Sequence, residues 1–455
     1  MIFDYDNDGR PDVYLPHLGC GMLFHNLGGR FEDVTAKSGL GDCRNAVTAV
    51  PIDFDGDGKL DLYVVRYWKA IDYFHLLARG PRVWTENFSW SRNGGDNTLY
   101  RNRGDGTFED VTASRGGSDT GWSWDAGAAD FAGDGTQRIY VANDFGPDQI
   151  FDATEGKLAH IDTGTVLGLV DRRAGMGVSF GDLTHDGRPH IYVSNESTRY
   201  FSPQHGNFLW HFTGSEHADD EAYSRGVHNC GEWSWGALFA DFDLDGKEDL
   251  YVAAGMITGN VESDFPMFDF IRRTGMTIPG IFADLPDWPS LKGRSLAGGV
   301  SDCVFWNRGD RFRDVSGFTG ITKAWDGRAV AAIDFDNNGS LDLIVTTRTG
   351  QAHLLRNTVV PGQHWVAFAL RGTRSNRDGA GARVEVRQAG QPPQFRWATA
   401  GKSGFLANSD PRIHFGLPVV QPLDVFVRWP SGKVDSHHGM DPGKIHTLVE
   451  GKDSE

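Results

Sequence analysis

Short apolar runs of five to seven residues, broken by clusters of polar and turn-forming residues, recur along the whole chain. The clearest example is ALFADFDLDGKEDLYVAA, Ala237 to Ala254, in which two β-prone runs flank an aspartate-rich loop. Runs of this length, rich in Val, Ile, Tyr and Phe and bounded by Gly, Asp and Asn, predict strands. The loop repeats: DYDNDGRPDVYL begins at Asp4, DFDGDGKLDLYV at Asp53 and DFDNNGSLDLIV at Asp334. Two copies keep the frame with fewer carboxylates, DFAGDGTQRIYV from Asp130 and DLTHDGRPHIYV from Asp182. A second phrase falls between them, as LFHNLGGRFEDVTAKSGL from Leu23, LYRNRGDGTFEDVTASRG from Leu99 and VFWNRGDRFRDVSGFTGI from Val304.

The unit therefore reads strand, aspartate loop, strand, variable segment, strand with a terminal Asn, glycine turn, strand. Four short strands per repeat predict an all-β propeller. Six blades are recognisable, and the long interval between the loops at Asp241 and Asp334 leaves room for a seventh. The propeller is expected over residues 1–357, with insertions near 66–98 and 256–302, and a small β domain over 358–455.

Carboxylates packed this closely repel one another unless a cation sits among them. Calcium takes six to eight oxygens, and a tight loop can present carboxylates at positions 1, 3, 5 and 9 with a backbone carbonyl at position 7. Four loops are complete by this rule. They are Asp4, Asp6, Asp8, Asp12 with the carbonyl of Arg10; Asp53, Asp55, Asp57, Asp61 with Lys59; Asp241, Asp243, Asp245, Asp249 with Lys247; and Asp334, Asp336, Asn338, Asp342 with Ser340. About four structural calcium ions are expected. The loop at Asp130 is expected to be empty, with Arg138 reaching its carboxylates in place of metal. The loop at Asp182, where His190 replaces the last acid, is expected to bind weakly or not at all. An EF-hand differs, since it ends in a Glu and enters a helix.

The formal charge of −17 changes meaning in this light, because four divalent ions would remove nearly half of it. The remaining acidity argues against a nucleic-acid partner. No apolar run of about 18 residues is present, so no membrane span is expected. No signal peptide is visible, and Met1-Ile2-Phe3 reads as the tail of an inner strand already under way, so a native beginning upstream is expected. The four cysteines lack C-x-x-C spacing, which removes zinc-ribbon and thioredoxin readings. Cys20 with Cys43, and Cys230 with Cys303, can pair in an exported protein; buried free thiols are the equal alternative.

The repeated phrases resemble the FG-GAP or VCBS repeats of the integrin-type propeller, and VANDFGPDQIF from Val141 resembles the bacterial branch of the cartilage acidic protein family. LRGTRSNRDGAGARVEV from Leu370, GKSGFLANSDPRIHFGL from Gly401 and VFVRWPSGKVD from Val425 resemble the ASPIC/UnbV domain. The resemblance implies an extracytoplasmic, calcium-stabilised propeller fused to a small β domain, secreted, periplasmic or on the cell surface.

Both insertions fall in the second connection of their blades, opposite the aspartate loops and roughly 17 Å away. They carry Trp68, Tyr73 and Trp84 in the first, and several phenylalanines in the second. The starts of the inner strands share that end. They bring Trp122, Trp124 and Asp125, then Arg173, then Glu232, Trp233 and Trp235, then Asp326 and Arg328 to the channel mouth. Tryptophan faces with Asp and Arg suit a sugar, a peptide or a small molecule. A binding or adhesion module is the first expectation. An enzyme using Asp125, Glu232 or Asp326 as a general acid is the second, and a purely structural surface protein the third. Asp125→Ala and Glu232→Ala are expected to spare stability and weaken ligand binding. No G-x-S-x-G, P-loop or H-E-x-x-H motif occurs.

Overall fold

The computed structural model describes residues 1–69, 91–167, 174–196, 206–215, 217–231, 233–264, 292–321, 324–359, 362 and 364–452. Among them, six antiparallel blade sheets follow in chain order. Blades 1 to 5 have four strands and blade 6 has three, ending at Leu355. The inner strands are Ile2–Phe3, Ala46–Ile52, Ser123–Ala129, Gly175–Gly181, Ser234–Ala240 and Gly327–Ile333. The seven-residue inner strands of blades 2 to 6 pack side by side in sequence. Small residues make this possible. A Cβ on Gly236 would meet the Arg328 carbonyl at 2.6 Å, and one on Gly177 the Trp235 carbonyl at 2.7 Å. In blade 5 the chain leaves after Asp249–Ala254 and returns at Cys303–Asn307, passing a two-stranded parallel element, Val261–Asp264 with Arg294–Ser295.

Blades 1, 2, 5 and 6 are each tied by one recurring bond set. The position-9 aspartate accepts the backbone N–H of the Asn that ends the third strand: Asn26 to Asp12 at 2.7 Å, Asn102 to Asp61 at 2.7 Å, Asn307 to Asp249 at 2.8 Å and Asn357 to Asp342 at 2.7 Å. The Asn102 amide then donates to the Tyr5 carbonyl of blade 1, and that of Asn357 to the Phe242 carbonyl of blade 5. In blades 2 and 6 this Asn thus staples the blade to the loop of the blade before it, while Asn26 and Asn307 bond the Pro11 and Glu248 carbonyls of their own loops. Disulfides join Cys20 to Cys43 and Cys230 to Cys303.

From Trp365 the chain forms a second β unit of two sheets, one of three strands and one of four. They enclose Val366, Phe368, Val384, Phe415, Val425, Trp429 and Leu448. This domain sits on the aspartate-loop face of the propeller. The Asp4 N–H donates to Asp378 at 2.9 Å, Arg396 pairs with Glu248 at 2.9 Å, and His414 meets the Gly339 carbonyl at 2.9 Å. Its segment 399–410 enters the channel itself. Ser409 and Asp410 bond both backbone groups of Ala332 on the inner strand of blade 6, and Gly404 lies against the Ala237 carbonyl.

Candidate functional site

The aspartate loops share one geometry. The position-1 carboxylate accepts the backbone N–H groups of positions 5 and 6, for example Asp57 at 3.0 Å and Gly58 at 3.0 Å on Asp53. The turn requires glycine at position 6, where φ is +89° in Gly9, +80° in Gly58 and +90° in Gly246. Asp4, Asp12, Asp61, Asp241, Asp249 and Asp342 are buried. Burial, with neighbouring carboxylates adding to it, pushes Asp61 up to about 8 and Asp4 and Asp241 to about 7. Side-chain oxygens of Asp4, Asp6 and Asp8, of Asp53, Asp55 and Asp57, and of Asp241, Asp243 and Asp249 each converge within 4.8 Å.

This donor set fits a hard oxygen-seeking cation: carboxylate oxygens crowd one tight loop, and Asp55 Oδ1 is buried with no hydrogen-bond partner. Position-7 cations neutralise only the outer oxygens, through Arg10 on Asp8, Lys59 on Asp57 at 2.8 Å and Lys247 on Asp245. A further contact with the loops was not read from the sequence. The residue just before the terminal Asn points at the loop in every complete copy: His25 toward Asp6 and Asp12, Arg101 to Asp55 and Asp57, Trp306 to Asp243, and Arg356 to Asp336.

In blade 3 this polarity is reversed. Arg138 holds position 9 and Asp152 the third strand, and the guanidinium lies 2.6 Å from both Asp134 and Asp152. A fixed protein cation thus pairs with the acids of this loop.

At the opposite face, aromatic side chains converge around the tip of the channel plug. Tyr67 stacks on Trp124 with ring centres 4.1 Å apart, and Trp68 meets the same ring edge-on. Trp124 and Trp235 both contact Phe405, a buried residue of the plug, at 5.8 and 5.5 Å. Trp233 lies parallel to Trp235, whose other face carries the Arg328 guanidinium at 4.4 Å. Trp68, Trp124, Trp233 and Arg328 remain partly exposed. Trp122 packs beside them with φ at +62°, a left-handed conformation costly for a bulky residue, held by indole bonds to Asn93 and Ser91.

The structure therefore gathers Trp68, Trp122, Trp124, Trp233, Trp235 and Arg328 at one mouth. Tyr73, Trp84, Arg173 and Glu232 lie outside the described residues. Asp125 does not face the mouth. It is fully buried in the channel wall, 2.6 Å from the Lys402 ammonium and accepting the Val178 N–H at 3.0 Å. Adjacent strand residues point to opposite sides, so placing Trp124 at the mouth turns Asp125 inward. Asp326 also turns away, bonding the backbone and hydroxyl of Thr258 at 2.7 Å each. Arg328 donates to the Gly255 and Met256 carbonyls rather than to a carboxylate.

The acid that does reach the aromatic cluster is Asp144. It accepts the Tyr67 hydroxyl at 2.5 Å and the Trp124 indole N–H at 3.3 Å, and burial raises it to about 6. The signal was in VANDFGPDQIF, but a lone Asp before Phe-Gly reads equally as a turn former.

With this geometry in hand, comparison with known proteins is specific. The FG-GAP-like repeat model matches residues 4–64, 84–141 and 296–345, and the ASPIC and UnbV model matches 372–455. Cartilage acidic protein 1 of Mus musculus is 26% identical over 426 residues, covering 86% of this chain and 62% of its own length. The Homo sapiens protein of that name is 26% identical over 446 residues, covering 89% and 63%. This chain spans about three fifths of the length of these relatives. Among solved structures, an Agrocybe aegerita lectin described as recognising non-reducing terminal N-acetylglucosamine aligns over 79% of this chain and 80% of its own, at 15% identity and a TM-score of 0.40. The chain is an FG-GAP-repeat propeller with a C-terminal ASPIC and UnbV domain, similar over most of its length to cartilage acidic protein 1.

Proposed function

We propose that this protein is a calcium-stabilised binding propeller that works outside the cytoplasm and takes its ligand at the aromatic mouth. The observation behind this reading is the division between the two faces. The C-terminal domain closes the aspartate-loop face and plugs the channel, while Trp68, Trp124, Trp233 and Arg328 stay partly exposed at the other end. Flat indoles with one cation and one carboxyl suit a carbohydrate ring, whose C–H faces stack and whose hydroxyls take directional bonds. The two disulfides fit an oxidising compartment. Calcium, held by the four complete loops, would supply the positive charge that lets buried carboxylates face one another; its role there is structural.

A second reading rests on Asp144. A carboxyl poised near 6 beside aromatic rings has the character of a general acid, and Glu196 lies close enough to raise the Tyr67 hydroxyl electrostatically. An acid-catalytic site would combine these two carboxyls. Tryptophan fluorescence titration with a panel of neutral oligosaccharides tests the first reading. Quenching that saturates in the parent and is lost in Trp124→Ala supports it. Saturable quenching unchanged in that variant, or hydrolysis of the panel abolished by Asp144→Asn, replaces it.

A further inference from the structure

Blade 4 departs from its siblings at two positions that meet in space. At position 9 of its loop, His190 stands where the complete loops have Asp12, Asp61, Asp249 and Asp342. Before its short helix, Glu221 stands where blades 1, 2 and 5 have Val34, Val111 and Val315. Replacing a largely apolar position by a carboxylate, beside an aspartate replaced by histidine, is a paired change. The third-strand residue here is His211.

These side chains form a compact unit. His190 Nε2 is 3.5 Å from Glu221 Oε2, and His211 Nδ1 is 3.2 Å from Glu221 Oε1. One ligand atom from each of the three lies within 4.8 Å of the others. His190 is completely buried, and neither of its ring nitrogens makes a hydrogen bond. His211 Nε2 faces Asp186 at 3.4 Å, so its ring lies between that carboxylate and Glu221. Two imidazoles, one of them buried with neither nitrogen bonded, and a carboxylate lie close enough together to share a cation.

We propose that His190, His211 and Glu221 bind a divalent transition ion of the zinc class, in place of the calcium held by sibling loops. Two imidazoles and one carboxylate are the ligand set that zinc takes when a fourth position is left to water. Bonds of about 2.0–2.1 Å to a tetrahedral ion put ligand atoms about 3.3–3.4 Å apart, near the 3.5 Å from His190 to Glu221 Oε2 and the 3.2 Å from His211 to Glu221 Oε1. The Asp186 contact supplies the outer carboxylate that typically orients a ligating histidine, and Arg225 also pairs with Glu221 through Oε2, which leaves Oε1 as the oxygen free of the guanidinium. The imidazole rings stack at 4.2 Å and 15° from parallel, so a shared ion must turn them toward each other. His211 and Glu221, 15% and 25% exposed, give the ion its path from solvent. Calcium prefers oxygen and would not compete well at this donor set.

The test is titration of the metal-free full chain with Co2+ and Zn2+. The expected result is one equivalent of Co2+ with the visible bands of a tetrahedral site, displaced by Zn2+ and not by Ca2+. Affinity should fall at least about tenfold in His190→Asn and in Glu221→Val, and hold in Asp243→Ala. Glu221→Val restores the sibling residue, so it is expected to fold, and circular dichroism checks this. No stoichiometric bands in the parent, or bands that survive both blade 4 substitutions, would overturn the assignment and leave an imidazolium–carboxylate ion pair.

Discussion

Lys402 of the C-terminal domain places its ammonium 2.6 Å from Asp125 on the inner strand of blade 3, inside the propeller channel. Both side chains are buried, and the same ammonium bonds the Gly404 carbonyl while Asp125 holds the Val178 N–H of blade 4. One ion pair therefore joins two blades and the second domain. Breaking a buried pair from one side leaves an uncompensated charge, at a cost of about 3–5 kcal/mol. Asp125→Ala and Lys402→Met are each expected to lower stability by that order in denaturant unfolding and to expose residues 399–410 to protease. This reverses the expectation from sequence that Asp125→Ala would spare stability.

The complete loops and the blade 3 loop separate metal from protein cation. Chelation by EGTA is expected to lower the melting temperature, and added calcium to restore it, because an ion bound only to the folded state stabilises it by mass action. Asp243→Ala should reduce both the melting temperature and the response to calcium, as read by calorimetry with and without the ion. A melting curve unmoved by EGTA would remove the calcium assignment.

Arg138→Met takes the guanidinium from Asp134 and Asp152 without offering those carboxylates a complete metal site, since Ala132 still interrupts the loop. Because Asp134 is substantially exposed, the expected loss is about 1–3 kcal/mol, and calcium should not recover it. Unfolding of the variant across calcium concentrations checks this.

The mouth should titrate through Asp144. Burial raises its folded value to about 6, above the usual carboxylate range, so the neutral acid is the form the fold favours. Its stabilising contribution is full below about pH 4 and is lost as pH rises through about 6. Asp144→Asn removes that dependence. Relative to the parent, the variant should gain stability between pH 4.5 and 7.5, by up to about 2–3 kcal/mol. Melting temperatures of both proteins at three pH values measure it, and parallel profiles would contradict the assignment.

Strand order, six of the blades and the aspartate loops were legible because each is written several times in one frame, whereas the long interval between Asp241 and Asp334 left a seventh blade open. The channel plug was not. Lys402 lies outside the repeats, 277 residues from Asp125, so no period announces their contact. The mouth was partly legible, since strand order put Trp124 and Trp235 at one end, but the two-residue alternation of a strand decided that Asp125 faces the other way. The third-strand residues were legible in principle: His25, Arg101 and Trp306 precede the Asn of one repeated phrase. Their varied chemistry hid a shared task, which only the distances to the loops reveal.

The most direct measurement of the two-face account is a crystal structure of the calcium-loaded protein soaked with neutral oligosaccharides, collected where calcium scatters anomalously. The account predicts anomalous peaks in the four complete loops, none in the Asp130 loop, and sugar density stacked on Trp124 or Trp233 beside Arg328. Sugar density against the aspartate loops or the C-terminal domain, with the aromatic mouth bare, would contradict it.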